Sequence, residues 1–144
     1  MSEETEISNK ALMVSVARGF KEGDLRPLFD SIDDNIIWKS MSPTALFRFG
    51  GVHAQRLGVK EVTAFIFATY HFREVEALEI IAEGDTLWGL FKCEVIHLPT
   101  RRTVKSDLAI RWVVRNNKIV EHQGFFDTAG MLMQQDNAPG LSSI

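Results

Sequence analysis

Between residues 86 and 127 the chain reads TLWGLFKCEVIHLPTRRTVKSDLAIRWVVRNNKIVEHQGFFD, three apolar-rich segments parted by Pro99-Thr100-Arg101-Arg102 and by Asn116-Asn117. Segments rich in Val, Ile, Phe and Trp, separated by a few turn-forming residues, predict consecutive antiparallel strands. Asparagine tolerates positive φ, so Asn116-Asn117 suits a two-residue hairpin turn. Three long strands in succession commit the chain to a sheet, and any chemistry is expected on one of its faces.

The preceding residues supply helices to cover that sheet. Ser8 is placed to cap a helix whose apolar positions Ala11, Leu12, Val16 and Phe20 recur at helical spacing, ending near Gly23. Asp24 can cap a shorter helix with Pro27 in its first turn and Leu28, Phe29 and Ile32 facing inward. After Asp33-Asp34-Asn35 comes a short strand, 36–41, then a long apolar and glycine-containing loop, 42–58, expected at the rim of a cavity. A third helix (59–70), a strand (72–82) and a Glu83-Gly84-Asp85 turn lead into the meander, and a helical turn or two (128–135) follows it. Residues 1–7 and 136–144 are expected to be flexible. No repeat or linker interrupts the chain, so 1–144 reads as one domain.

Composition narrows the function classes. The 144 residues are 45% hydrophobic and 24% charged, with a formal charge of −3, so there is no basic footprint for nucleic acid. Cys93 is the single cysteine, which excludes an internal disulfide and a cysteine-rich zinc site. No histidine–carboxylate spacing matches a metal motif, so neither a catalytic metal nor another cofactor is expected. No apolar run approaches the roughly 20 residues that span a bilayer. The acidic start MSEETEISNK is unlike a secretory signal, and a cytoplasmic location without membrane association is the expectation.

Several motifs in order resemble the nuclear transport factor 2-like superfamily, in its SnoaL-like and ketosteroid isomerase-like branch. They are Gly23-Asp24-Leu25, Asp33-Asp34 before Ile36-Ile37-Trp38, Phe49-Gly50-Gly51 before Gly58-Val59-Lys60-Glu61-Val62, and Asn117-Lys118-Ile119-Val120 before Phe125-Phe126-Asp127. The likeness covers residues 8 to about 133. It implies an α+β cone in which a curved mixed or antiparallel sheet wraps helices around a deep pocket, commonly in homodimers. Members of the family include isomerases, cyclases, dehydratases, epoxide hydrolases and non-catalytic binders, so the fold alone names no reaction.

Alternate residues of a strand face opposite ways. Over 103–115 one face carries Val104, Ser106, Leu108, Ile110, Trp112 and Val114, the other Lys105, Asp107, Ala109, Arg111 and Val113. Strand parity alone would lay the apolar face on the helices. An ungapped match to ketosteroid isomerases instead puts that family's pocket acid at position 109, on the charged face. We therefore expect the charged face to look inward and the apolar face to meet a partner subunit. A hairpin closing Leu98 on Thr103 would set Glu94 opposite Asp107, and the Asn116-Asn117 turn would set Arg111 opposite His122.

The predicted site gathers Asp107, Glu94 and His122 as proton-transfer groups; Lys92, Lys105 and Arg111 would stabilise oxyanion charge. Trp38, Trp88, Phe65 and Phe126 would line the cavity. The same charged residues could equally form a solvated cross-strand ladder, and the same aromatics could be core. Asp127 reads as a helix cap, His97 as exposed or at a dimer contact, Cys93 as inert packing. The isomerase family's tyrosine, aspartate base and strand acid align with Val16, Lys39 (or Ser40) and Ala109, so steroid isomerisation by that machinery is not expected. The Arg-x-Asp step of limonene-epoxide hydrolases is matched only loosely, by Lys105-x-Asp107. A cofactor-independent acid–base enzyme for a small, partly apolar carbonyl or hydroxyl compound is the leading expectation. A binding protein of the same fold and a dimeric interaction module are the alternatives.

Overall fold

A computed structural model describes residues 3–136. In chain order it has α1 (Glu3–Glu22), α2 (Arg26–Phe29), β1 (Ile32–Ser40), β2 (Gly51–Ala54), α3 (Gln55–Thr69), β3 (Tyr70–Glu83), β4 (Thr86–His97), β5 (Arg102–Arg115), β6 (Lys118–Phe126) and α4 (Thr128–Asp136). All six strands join one sheet in the order β2-β1-β6-β5-β4-β3. Every pairing is antiparallel except β1 with β6. Irregularities in β3 between Phe72 and Glu74 and between Ala77 and Glu79 bend the sheet. Helix α1 packs chiefly on β3 and α3 on β1, giving the α+β cone.

The core follows from burial of the apolar strand faces. Leu87, Phe91, Val104 and Trp112 pack with Met13 and Val16 of α1, all at most 6% exposed. A side chain at Gly89 would meet the Phe91 ring at 2.6 Å and Met13 Sδ at 2.7 Å. The close approach of α1 to β4 therefore requires glycine.

Boundaries differ from the sequence reading where tertiary partners extend an element. Helix α1 starts at Glu3, not Ser8, so residues 3–7 belong to it. Glu3, Glu4 and Glu6 sit in its first turn, where the helix dipole favours acids, and Glu6 Oε2 accepts the Gly84 N–H at 3.1 Å. At its other end Gly23 has φ +74° and Asp24 N–H bonds the Gly19 carbonyl at 2.8 Å, a Schellman ending. Asp24 accepts the Arg26 N–H at 3.0 Å at the start of α2. Part of the expected 42–58 loop is β2 and the first turn of α3, because β1 offers a free edge: Trp38 pairs with His53 and Ser40 with Gly51. His53 Nε2 lies 3.0 Å from both the Phe49 and Gly50 carbonyls, tying the rest of that loop. Asn116 and Asn117 form the two-residue turn, at φ +51° and +61°. Of the expected loose tail, 137–144 lies outside the described residues. Among those described, no helix is long and apolar enough to cross a membrane.

Candidate functional site

Inside the cone is a cavity of about 180 Å³ whose wall includes Phe91 and Cys93 of β4, Val104, Ser106, Leu108, Ile110 and Trp112 of β5, and His122, Gly124 and Phe126 of β6. The apolar face of β5 therefore looks inward. This corrects the expected orientation, and the physical reason is desolvation. A cone has one enclosed face, and enclosing five charged side chains there would cost several kcal/mol for each poorly paired ion, roughly. Position 109 consequently faces away from the cavity, and the ungapped match to the isomerases does not mark a cavity residue.

The charged residues expected at the site lie on the outer face in a register two residues from the one predicted. The Leu98 to Arg101 loop closes His97 on Arg102, so Glu94 opposes Lys105 and Asp107 opposes Lys92. Glu94 is paired with Arg73 at 3.5 Å and Lys105 at 3.7 Å, and Arg111 with Glu121 at 3.7 Å. Lys92, Lys105 and Asp107 are exposed. Trp88 is also outside, 43% exposed and stacked on Phe125 at 5.9 Å. Phe65 lies off the cavity wall, under the Arg48 guanidinium at 4.9 Å; its neighbour one residue on, Ile66, lines the cavity instead. His97 is buried rather than exposed, hydrogen-bonded through Nδ1 to Thr100 Oγ1 at 2.8 Å.

Of the predicted set the structure brings His122, Trp38 and Phe126 together around the cavity. His122 reaches it through a bulge. From the asparagine turn Arg115 pairs with Lys118 and Val114 with Ile119, but Val113 pairs with Glu121, leaving Val120 as an extra residue. One inserted residue reverses the facing of everything beyond it. His122 thus opposes Trp112 rather than Arg111, and enters the cavity with Gly124 and Phe126.

Three contacts define the imidazole. Trp112 donates Nε1–H to His122 Nδ1 at 3.0 Å, and both residues are buried. The Trp38 indole stacks on the imidazole, centroids 3.5 Å apart and planes 11° from parallel. Burial holds the His122 pKa down at about 3, so the ring is neutral at pH 7. An indole nitrogen only donates, so Nδ1 must be the acceptor and the ring proton sits on Nε2. Among the described residues the hydrogen bond of this ring is the one at Nδ1, and Nε2 has no protein partner. Gly124 leaves room before it: a Cβ there would stand 3.7 Å away. Lys39 also lines the cavity, and the hydroxyls nearby take part in hydrogen bonds. Ser106 Oγ donates to the Asp107 carbonyl at 3.0 Å, Ser40 Oγ and Ser42 Oγ share a hydrogen bond at 3.0 Å, and Tyr70 OH donates to Gln135 Oε1 at 2.6 Å. Burial pushes the Cys93 thiol and the Tyr70 phenol each up to about 12, so both are neutral.

Helix α4 covers part of the cavity through Met131. Asp127 Oδ1 accepts the Gly130 N–H at 3.0 Å and so caps it, as its position in the sequence suggested. Strand β6 ends opposite Leu108, beyond which Gln134 takes the sheet partner's place, accepting Lys105 N–H at 2.8 Å and donating to its carbonyl at 2.9 Å. Among the described residues no cluster of three or more His, Cys, Asp or Glu is placed to hold a metal ion.

Sequence reasoning missed Trp112, Ser106 and Phe91 as wall residues. The mainly apolar parity of 104–114 is the signal for Trp112 and, by its place on that face, for Ser106; Phe91 lies on the neighbouring strand. Nothing in the sequence marked Val120 as a bulge.

Neither a protein-family model nor a curated protein matches the chain. Solved structures do. An NTF2-like protein of unknown function from Burkholderia pseudomallei superposes with a TM-score of 0.79 at 18% identity, over 88% of this chain and 95% of that one. TerC, crystallised with polyporic acid, gives 0.76 at 20% identity over 88% and 96%. A provisionally named isomerase from Rhodopseudomonas palustris gives 0.74 at 20% identity over 93% and 96%. At these identities the likeness establishes the fold, which is that of the NTF2-like, SnoaL-like and ketosteroid isomerase-like proteins.

Proposed function

We propose that this chain binds a small, mainly apolar carbonyl compound inside the cone, the carbonyl oxygen accepting from His122 Nε2–H. The observation that carries this is a donor N–H in the cavity wall with no protein partner among the described residues, in a lining that is mostly carbon, with neutral sulfur, hydroxyls and Lys39 beside it. A ligand that enclosed this donor without offering an acceptor would leave it unsatisfied, at about 1–3 kcal/mol. A carbonyl oxygen avoids that cost, and the aromatic wall supplies the apolar contact. Titration of 1-indanone, followed by calorimetry, tests the reading. Saturable binding to the wild type, weakened about tenfold or more in His122→Phe, is expected. Wild-type protein that binds neither 1-indanone nor other aromatic and alicyclic ketones ends it.

A second reading, catalysis of isomerase, cyclase or dehydratase type without a cofactor, is favoured by the same donor. A hydrogen bond preset in a water-poor cavity stabilises the enolate formed when a carbonyl compound loses an α-proton. Neighbours of this fold include proteins named for isomerase and polyketide cyclase activities. Against it, no carboxylate lines the wall among the described residues, and the His122 lone pair is engaged by Trp112. Deuterium exchange at the α-carbon of 1-indanone decides. Exchange lost in His122→Phe and kept in Asp107→Asn supports catalysis; exchange at the buffer rate leaves a binder.

We further propose that two copies associate through the outer sheet face, where Trp88 and Leu90 are 43% and 37% exposed beside Phe125. Light scattering on the wild type and on Trp88→Lys tests this, and a monomeric wild type refutes it.

A further inference from the structure

The bound proton on His122 has a consequence for which ligands the cavity selects, and this rests on the binding reading above. We propose that Trp112 is a specificity-determining residue: by fixing the His122 proton on Nε2 it makes the cavity a hydrogen-bond donor, selecting ligands whose inward polar atom only accepts, such as ketones and quinones, over their hydroxyl counterparts.

The geometry supplies each step. A neutral imidazole with a free choice of tautomer serves either kind of ligand, donating to a carbonyl or accepting from a hydroxyl. Trp112 removes that choice, because its indole can only donate and stands 3.0 Å from Nδ1. Ring rotation is also blocked. The imidazole is stacked on Trp38 at 3.5 Å, and its residue is 8% exposed. The Trp38 indole stacked on it has one ring nitrogen, which only donates, so the pair offers no nitrogen acceptor. A hydroxyl ligand can place its oxygen against Nε2–H, but its own hydrogen then finds no acceptor on either ring. The wall hydroxyls of Ser106 and Ser40 take part in hydrogen bonds with the Asp107 carbonyl and Ser42 Oγ; their oxygens keep lone pairs, so the selection falls at His122 itself, where a ligand oxygen can only accept. Protonation does not relax the lock in ordinary conditions, since an imidazolium would set a second N–H against the indole N–H.

The experiment compares 1-indanone with 1-indanol, which share a skeleton, on the full chain and on Trp112→Phe. In parallel, ¹⁵N spectra of the His122 ring identify the protonated nitrogen. For the wild type we expect Nε2 to carry the proton and the ketone to bind about tenfold or more tighter than the alcohol, the penalty for a buried unsatisfied hydroxyl hydrogen. In Trp112→Phe both tautomers become populated and the ratio falls towards one, chiefly through a gain in alcohol affinity. Equal affinities for the two compounds in the wild type overturn the inference while leaving the binding reading intact, as does a wild-type spectrum with the proton on Nδ1. Binding of neither compound, nor of the other aromatic and alicyclic ketones, overturns both. The wild-type ratio and spectrum decide the matter even where Trp112→Phe does not fold.

Discussion

On the outer face of β4 and β5 stand Lys92, Glu94, Lys105, Asp107 and Arg111; on the inner face the same strands present Phe91, Cys93, Val104 and Trp112, and β6 adds one imidazole. The outer face has most of the ionisable groups and the inner face most of the constraint. Each outer charge keeps water or a flexible partner, so its removal changes little. The inner imidazole is enclosed: burial keeps it neutral, and the two indoles around it fix its tautomer and orientation. Titratable residues in number therefore do not locate a site; a single one that is enclosed and incompletely satisfied does.

The comparison can be broken most decisively in the core. Trp112→Ala removes a side chain that is 2% exposed and should cost about 3–5 kcal/mol in urea denaturation. The outer double variant Glu94→Gln/Lys105→Gln should stay within about 1 kcal/mol of the wild type. Comparable losses from the two would erase the distinction between the faces.

Next in size is the effect of acid. The native His122 pKa, about 3, lies below its ordinary 6.5. Between those values the unfolded chain binds a proton that the native state excludes, so stability falls as pH drops through that window and is fully present above it. From pH 6.5 to 4.5 the loss attributable to His122 is about 2–3 kcal/mol. It should appear as a difference in slope between the wild type and His122→Gln when denaturation midpoints are followed against pH. Parallel slopes would mean that the imidazole is open to water.

A smaller effect is expected where α4 is fastened. Tyr70→Phe deletes the buried bond to Gln135 and should lower stability by about 1 kcal/mol, with faster amide exchange confined to α4. The smallest belongs to Asp107→Asn, which should leave 1-indanone affinity within about twofold, well under the 1.4 kcal/mol that a tenfold change represents. A larger loss would return the outer carboxylate to the site.

How much of this could be read from the chain depends on the range over which each feature is decided. The meander, the Asn116-Asn117 turn, the glycine that ends α1 and the Asp127 cap are local. They follow from propensity and φ preference, and the sequence determined them. The alternation along 104–114 is local too, and it marks the buried face, whereas the isomerase match points to the opposite one. Three things were decided only in three dimensions. The loop before β5 closes at His97 and Arg102, a register carried by the whole β4–β5 ladder. Helix α1 runs back to Glu3 because the β3–β4 turn meets Glu6. The extra residue at Val120 carries His122 from the outer face to the inner. Side-chain facing has a period of two, so a one-residue bulge reverses it, and whether a bulge forms depends on neighbouring strands far away in sequence. The residue on which the proposed function turns was therefore visible in the sequence, but not the side of the sheet on which it works.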